Sequence, residues 1–152
     1  MRVCLAVAWV LAAAWIPMAR AQPDLPRVVM RAPLPAGLDA RLEGQLSDLA
    51  NIMELTRASA SAFTDLGSAM AVGPRLGADV VVWFERSPSE VSIYIADLRQ
   101  RRLFARTLPA SGPAPLDSAT LETVAILVRS SLEALHFGAE IGVAFSIDEP
   151  TP

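Results

Sequence analysis

The 152-residue chain has no lysine, one histidine and one cysteine, and each scarcity removes a class of chemistry. Cys4 lies in the apolar amino-terminal segment. Once that segment is removed, neither a disulfide framework nor a thiolate nucleophile is available. A single His136 excludes a His-rich metal site. It leaves a Ser-His-Asp triad open by composition, but no G-x-S-x-G elbow accompanies it. Neither G-x-x-x-x-G-K-[ST] nor G-x-G-x-x-G occurs, so no phosphate-cradling loop is expected. The expectation is a chain without catalytic residues, metal or cofactor. The missing lysine leaves arginine as the only strongly basic side chain, a bias that a GC-rich coding sequence explains.

What is present first is an export signal. Arg2 is followed by the unbroken apolar run Val3–Ile16, then Pro17, then Ala19-Arg20-Ala21 as a small-x-small cleavage site. The alternative, an uncleaved membrane anchor, needs ~20 apolar residues, and this run is shorter. Residues 1–21 therefore read as a cleaved signal, with cleavage between Ala21 and Gln22. Cleavage removes two arginines and no acid, leaving 11 Arg against 16 Asp and Glu and a formal charge of −5. That balance argues against nucleic acid or an anionic membrane surface as partner. The membrane is met only through the signal, if it stays uncleaved.

The stretch from Gly77 to Pro109 organises the rest. Val80-Val81-Val82-Trp83-Phe84 is too short for a helix and suits a central strand covered on both faces. After Ser87-Pro88-Ser89, Val91, Ile93 and Ile95 alternate with Ser92, Tyr94 and Ala96, the pattern of a strand with two unlike faces. Leu103–Leu108 is a third extended segment, stopped by Pro109. Upstream, Arg27–Arg31 reads as a first strand, closed by Pro33 and Pro35. Leu38, Leu42, Leu46 and Leu49 then mark an amphipathic helix over Leu38–Leu49. Asn51 ends it, and Ile52–Thr56 is the expected second strand, parallel to the first in a βαβ unit.

Ala62, Phe63, Leu66, Ala69, Met70 and Val72 give a helical period inside Ser59–Leu76, which Gly73-Pro74 should end or kink near Val72. After the loop Ser111–Pro115, a last helix begins at Asp117 or Ser118, with Glu122 in its first turn. It buries Leu121, Val124, Ala125, Val128, Leu132 and Leu135. Ile126 and Leu127 widen the stripe, which predicts cover on more than one side. Arg129 and Glu133 form an i, i+4 pair, and Gly138 supplies the stop. Glu140–Ile147 reads as a short strand, and Asp148–Pro152 as a polar tail or the start of a linker. The expected fold is α/β: a mixed sheet of about five strands in the order β-α-β-α-β-β-β-α, helices covering it. Residues 22–140 form the single α/β domain, and 141–152 the short strand and tail.

Three groups of side chains could carry function. Asp79 and Asp97 sit before and after neighbouring strands, where a paired-carboxylate site is conceivable and a turn-stabilising role is commoner. Arg99, Arg101, Arg102 and Arg106 form a cluster on the hairpin, read either as a partner-contact patch or as a solvated edge. Tyr94, on the strand face opposite Ile93, joins Arg106 as a candidate contact surface. His136 reads as a cation at a helix end.

The letters Leu76-Gly77-Ala78-Asp79-Val80-Val81, with a hairpin whose middle strand ends in Asp97, resemble the amino-terminal α/β domain of TolB-like periplasmic proteins. The likeness covers residues 26–137 in layout and Leu76–Asp97 in letters. Trp83-Phe84 stands where that family commonly has a glycine, and Arg99-Gln100-Arg101-Arg102 replaces its Thr-Gly turn. No β-propeller repeats follow within these residues. The resemblance implies a non-enzymatic docking module. The combined expectation is a non-catalytic protein exported to the periplasm of a Gram-negative bacterium, acting on envelope proteins through protein–protein contacts. Two alternatives stand beside it: a small-ligand-binding protein or hydrolase with a site near Asp79 and Asp97, and the soluble head of a longer outer-membrane protein.

Overall fold

A computed structural model describes residues 25–146 except 60, 111, 113 and 114. The expected signal with its Ala21–Gln22 cleavage site, part of the 111–115 loop, and the tail from 147 onward lie outside the described residues. In chain order the elements are β1 (Arg27–Arg31), α1 (Leu38–Leu46), β2 (Glu54–Ala58), α2 (Leu66–Val72), β3 (Val80–Arg86), β4 (Glu90–Asp97), β5 (Arg102–Pro109), α3 (Ser118–His136) and β6 (Val143–Ala144). Short 3-10 turns occupy Leu49–Asn51 and Gly73–Leu76. The strands form one mixed sheet in the order β2-β1-β3-β4-β5-β6. β1 runs parallel to both its neighbours, and the remaining pairs are antiparallel. The α/β layout is the expected one, with a sixth strand of two residues added at the edge.

The central run has apolar side chains on both faces because the sheet is covered on both. Val80, Val82 and Phe84 join Val28, Met30, Val91, Ile93 and Ile95 beneath α1 and α3. Val81 and Trp83 point the other way, with Val29, Ala96, Phe63 and Ala69 of α2. Fully burying a branched or aromatic side chain is worth about 1.5–3 kcal/mol, so the first face dominates the stability. The leucine stripe Leu38, Leu42, Leu46 and Leu49 is buried there as expected.

Polar ties lock α1 to α3. Arg41 donates to Glu122 at 3.0 Å and to Ser118 Oγ at 2.7 Å, and Gln45 Nε2 donates to the other Glu122 oxygen at 2.7 Å. Arg129 donates to Gln45 O at 3.0 Å, and to Asp48 and Glu133. Asp48, and then Glu133, hold its guanidinium proton more firmly than usual. Glu122 lies just past the first turn of α3, whose start is capped instead by the Asp117 carboxylate accepting from Thr120 N at 2.8 Å. Its work is the cross-helix link, not complementing the dipole.

Three local expectations are corrected. The second strand starts at Glu54 rather than Ile52, because Ile52 N and Met53 N both donate to Leu49 O and spend two residues closing the 3-10 turn. Ala62 and Phe63 are not helical: Asp65 and Ser68 form a reciprocal capping box, which fixes the start of α2 at Leu66. Phe63 is buried from a segment of turns and bends, where its carbonyl accepts from Arg31 at 3.1 Å. Arg31 also donates to Phe84 O, so one guanidinium fastens that segment to the end of β3. Finally, Ile126 stays 46% exposed, so of the two residues expected to widen the stripe of α3 only Leu127 packs, partly buried, against the core.

Candidate functional site

The pairing Val80↔Asp97 brings Asp79 and Asp97 to one end of the sheet. Asp79 Oδ2 accepts from Arg27 N at 2.9 Å and Oδ1 from Arg99 Nε at 2.7 Å. Its own backbone N–H donates to Arg27 O at 2.8 Å, so this one residue closes the gap between β1 and β3. Asp97, 7% exposed, accepts from Arg99 N and Gln100 N on a single oxygen, both at 2.9 Å. That is the geometry of an Asx turn starting the β4–β5 hairpin. Arg99 serves both aspartates, Asp79 through its side chain and Asp97 through its backbone N–H. A cavity of about 250 Å³ opens beside them, floored by Val28, Met53, Leu132 and Leu135 and bordered by His136. His136, the last residue of α3, stands edge-on to Phe137 with ring centroids 5.2 Å apart.

The hairpin arginines separate into committed and exposed members. Arg99 pairs with Asp79. Arg102 pairs with Glu140 at 3.1 Å and donates to Ile141 O and Gly142 O, tying β6 to the sheet. Gly142 makes this approach feasible: with φ at +76°, an added Cβ would come within 2.3 Å of Leu103 O. Arg101 occupies the left-handed position of the turn at φ 52°, and its side chain is exposed. Arg106 is exposed on β5.

Tyr94 and Arg106 do not share a surface, contrary to the expectation. The register pairs Tyr94 with Ala105 and Ile93 with Arg106. Directly paired residues point to the same face, so Arg106 lies on the side of α1 and α3 and Tyr94 on the other. The parity of one residue separates them.

Tyr94 stands instead in an aromatic group that the sequence reading did not assemble. Its ring stacks on Trp83, centroids 5.0 Å apart and planes at 11°, and Phe63 meets Trp83 edge-on at 6.2 Å. The Tyr94 hydroxyl donates to Glu85 at 3.1 Å. Trp83 is 2% exposed, and its indole N–H has no hydrogen-bond partner among the described residues. Counting outward from the Ser87–Glu90 turn gives the Trp83↔Tyr94 pair, so a signal for it was present. Around Tyr94, Ser92 and Thr107 bond through their hydroxyls at 2.9 Å, and neither they nor Ala105 are fully buried. β6 pairs with β5 only at Arg102 and Leu103. This half of the sheet is therefore a half-open polar-aromatic face next to a largely unpaired edge.

Among the described residues no helix is long and apolar enough to cross a membrane. No known family profile matches the sequence, and no curated protein does. Among solved structures, protein VC0702 from Vibrio cholerae aligns at 12% identity and a TM-score of 0.31, over 75% of this chain and 78% of that one. TolB from Acinetobacter baumannii, of the family that Leu76–Asp97 resembles, aligns at 11% identity and a TM-score of 0.45 over 75% of this chain, which spans 29% of that protein's length.

Proposed function

We propose that this chain is a non-catalytic protein of the Gram-negative periplasm that works by docking another envelope protein on the open face of β4 and β5. Tyr94 carries the reading. It is a half-buried aromatic ring, preoriented by its stack on Trp83 and its bond to Glu85, on a sheet face where its neighbours remain in contact with solvent. A rigid aromatic body with a polar tip loses little conformational freedom on binding and is a common anchor at interfaces. Arg101, exposed at the hairpin turn, adds a cation for an acidic partner. Arg99 and Arg102 serve the fold through their ion pairs, so they are poor probes of docking.

The test is in-cell cross-linking of tagged protein expressed with its signal, followed by mass spectrometry. The expected result is peptides beginning at Gln22 and one enriched envelope protein, lost on Tyr94→Ala while circular dichroism stays unchanged. Capture of no envelope protein sinks the proposal.

A second reading is favoured by the cavity beside Asp79 and Asp97: a periplasmic protein that binds or hydrolyses a small ligand there. Replacing both aspartates with asparagine and finding ligand or substrate behaviour unchanged removes it.

A further inference from the structure

The sheet order leaves β2 at one margin, with no strand beyond it among the described residues. Glu54 N donates to Pro26 O at 3.0 Å, and Ala58 O accepts from Ala32 N at 2.8 Å. Residues 54, 56 and 58 therefore turn their main-chain groups toward β1. By the alternation of a strand, Leu55 and Arg57 turn theirs outward. Unpaired N–H and C=O groups at two-residue spacing match an extended backbone and little else.

A groove of about 500 Å³ runs beside this edge, between β2 and α1. Leu42, Leu46, Ala50 and Leu55 give it an apolar floor, and Asp39, Glu43 and Arg57 stand around it. Arg57 is already committed to Asp39 and to the sulfur of Met30. Glu43 is exposed and makes no hydrogen bond or ion pair among the described residues. The uncompensated charge at the groove is thus negative and sits one helical turn from Asp39.

We infer that the β2 edge and its groove take a short extended peptide segment of a partner protein, carrying an apolar side chain and a lysine or arginine two residues away. The backbone adds a strand to Leu55 and Arg57. Residues two apart share a face, so the apolar side chain enters the floor while the basic one lies along it and meets Glu43. A second copy of this chain is the competing occupant, since β5 also has an open edge and carries Arg106. It fits less well: Phe104 and Leu108, which share a face with Arg106, pack into their own core and cannot enter the groove. Pro109 also removes one donor from that edge.

This inference deepens the docking reading at a surface remote from Tyr94, and the two can fail separately. The experiment is an NMR titration of the isotope-labelled full chain with blocked Thr-Val-Thr-Lys-Thr, and with the same peptide carrying glutamate or proline in place of lysine. The expected result is saturable shifts at the Leu55 and Arg57 amides with the lysine peptide, and amide exchange there slowed about tenfold at nine-tenths occupancy. Glu43→Gln weakens that peptide by about two- to fivefold, while Tyr94→Ala leaves it unchanged. Three results overturn the inference: no saturable shift at Leu55 and Arg57, equal binding of the glutamate peptide, or protection of both amides without peptide in a self-associated species. Loss of lysine-peptide binding with Tyr94→Ala would overturn the separation of the two surfaces.

Discussion

The two faces of the sheet are built on different plans. Under α1 and α3 the cover is continuous: leucines of one helix and an apolar stripe of the other close over three strands, and arginines bridge the helices at their rims. On the opposite face the cover is patched from a seven-residue helix, the buried ring of Phe63 and an arginine clamp, and it gives out at Tyr94. The first plan maximises buried area. The second gives up area and leaves a preset aromatic surface partly open to solvent. Placing stability on one side frees the other to be incomplete.

The largest expected effect tests the helix-covered face. Leu42→Ala removes a side chain with no solvent exposure and should cost about 3–4 kcal/mol in urea unfolding. It should lower amide protection throughout the sheet. Arg31→Met should cost about 2 kcal/mol, since two carbonyls lose a charged donor. Here the expected signature is local: exchange rises at Ala62–Asp65 more than in β1 or β3. Equal loss of protection everywhere would show that both faces unfold as one and would break the comparison. Tyr94→Ala should cost about 1 kcal/mol, the scale of an aromatic pair, while abolishing partner capture.

The smallest effect is on acid stability. The Asp65 and Asp117 carboxyls are held below their ordinary value of 3.8, chiefly by the backbone N–H groups of Ser68 and Thr120. A depressed folded-state value stabilises the fold fully above about pH 4. The contribution is lost as pH falls through the lowered value. Asp65→Asn with Asp117→Asn keeps a cap but should flatten this part of the pH profile, and an unchanged slope would assign acid sensitivity elsewhere.

The strands were readable because their pattern is local. Val91, Ile93 and Ile95 declare their face in five residues, and the leucines of α1 do the same at helical spacing. The segment carrying Phe63 was misread because its apolar spacing imitates a helix, while what holds it is Arg31, 32 residues away. Tyr94 and Arg106 were joined although strand parity separates them, and only the register of β4 with β5 decides that. The groove at β2 left no local signature, since it exists only once α1 has folded back across the βαβ unit.

Outside the amino-terminal 21 residues, Trp83 is the only tryptophan and Tyr94 the only tyrosine in the chain, and they lie face to face. Cleaved at the proposed site, the chain would contain one emitting indole, 2% exposed and stacked on the proposed anchor. Anything that seats on Tyr94, or lifts the Phe63 segment, alters the surroundings of that indole. Its emission wavelength and lifetime report occupancy of the open face without a label, whereas occupancy of the β2 groove across the sheet leaves them unchanged.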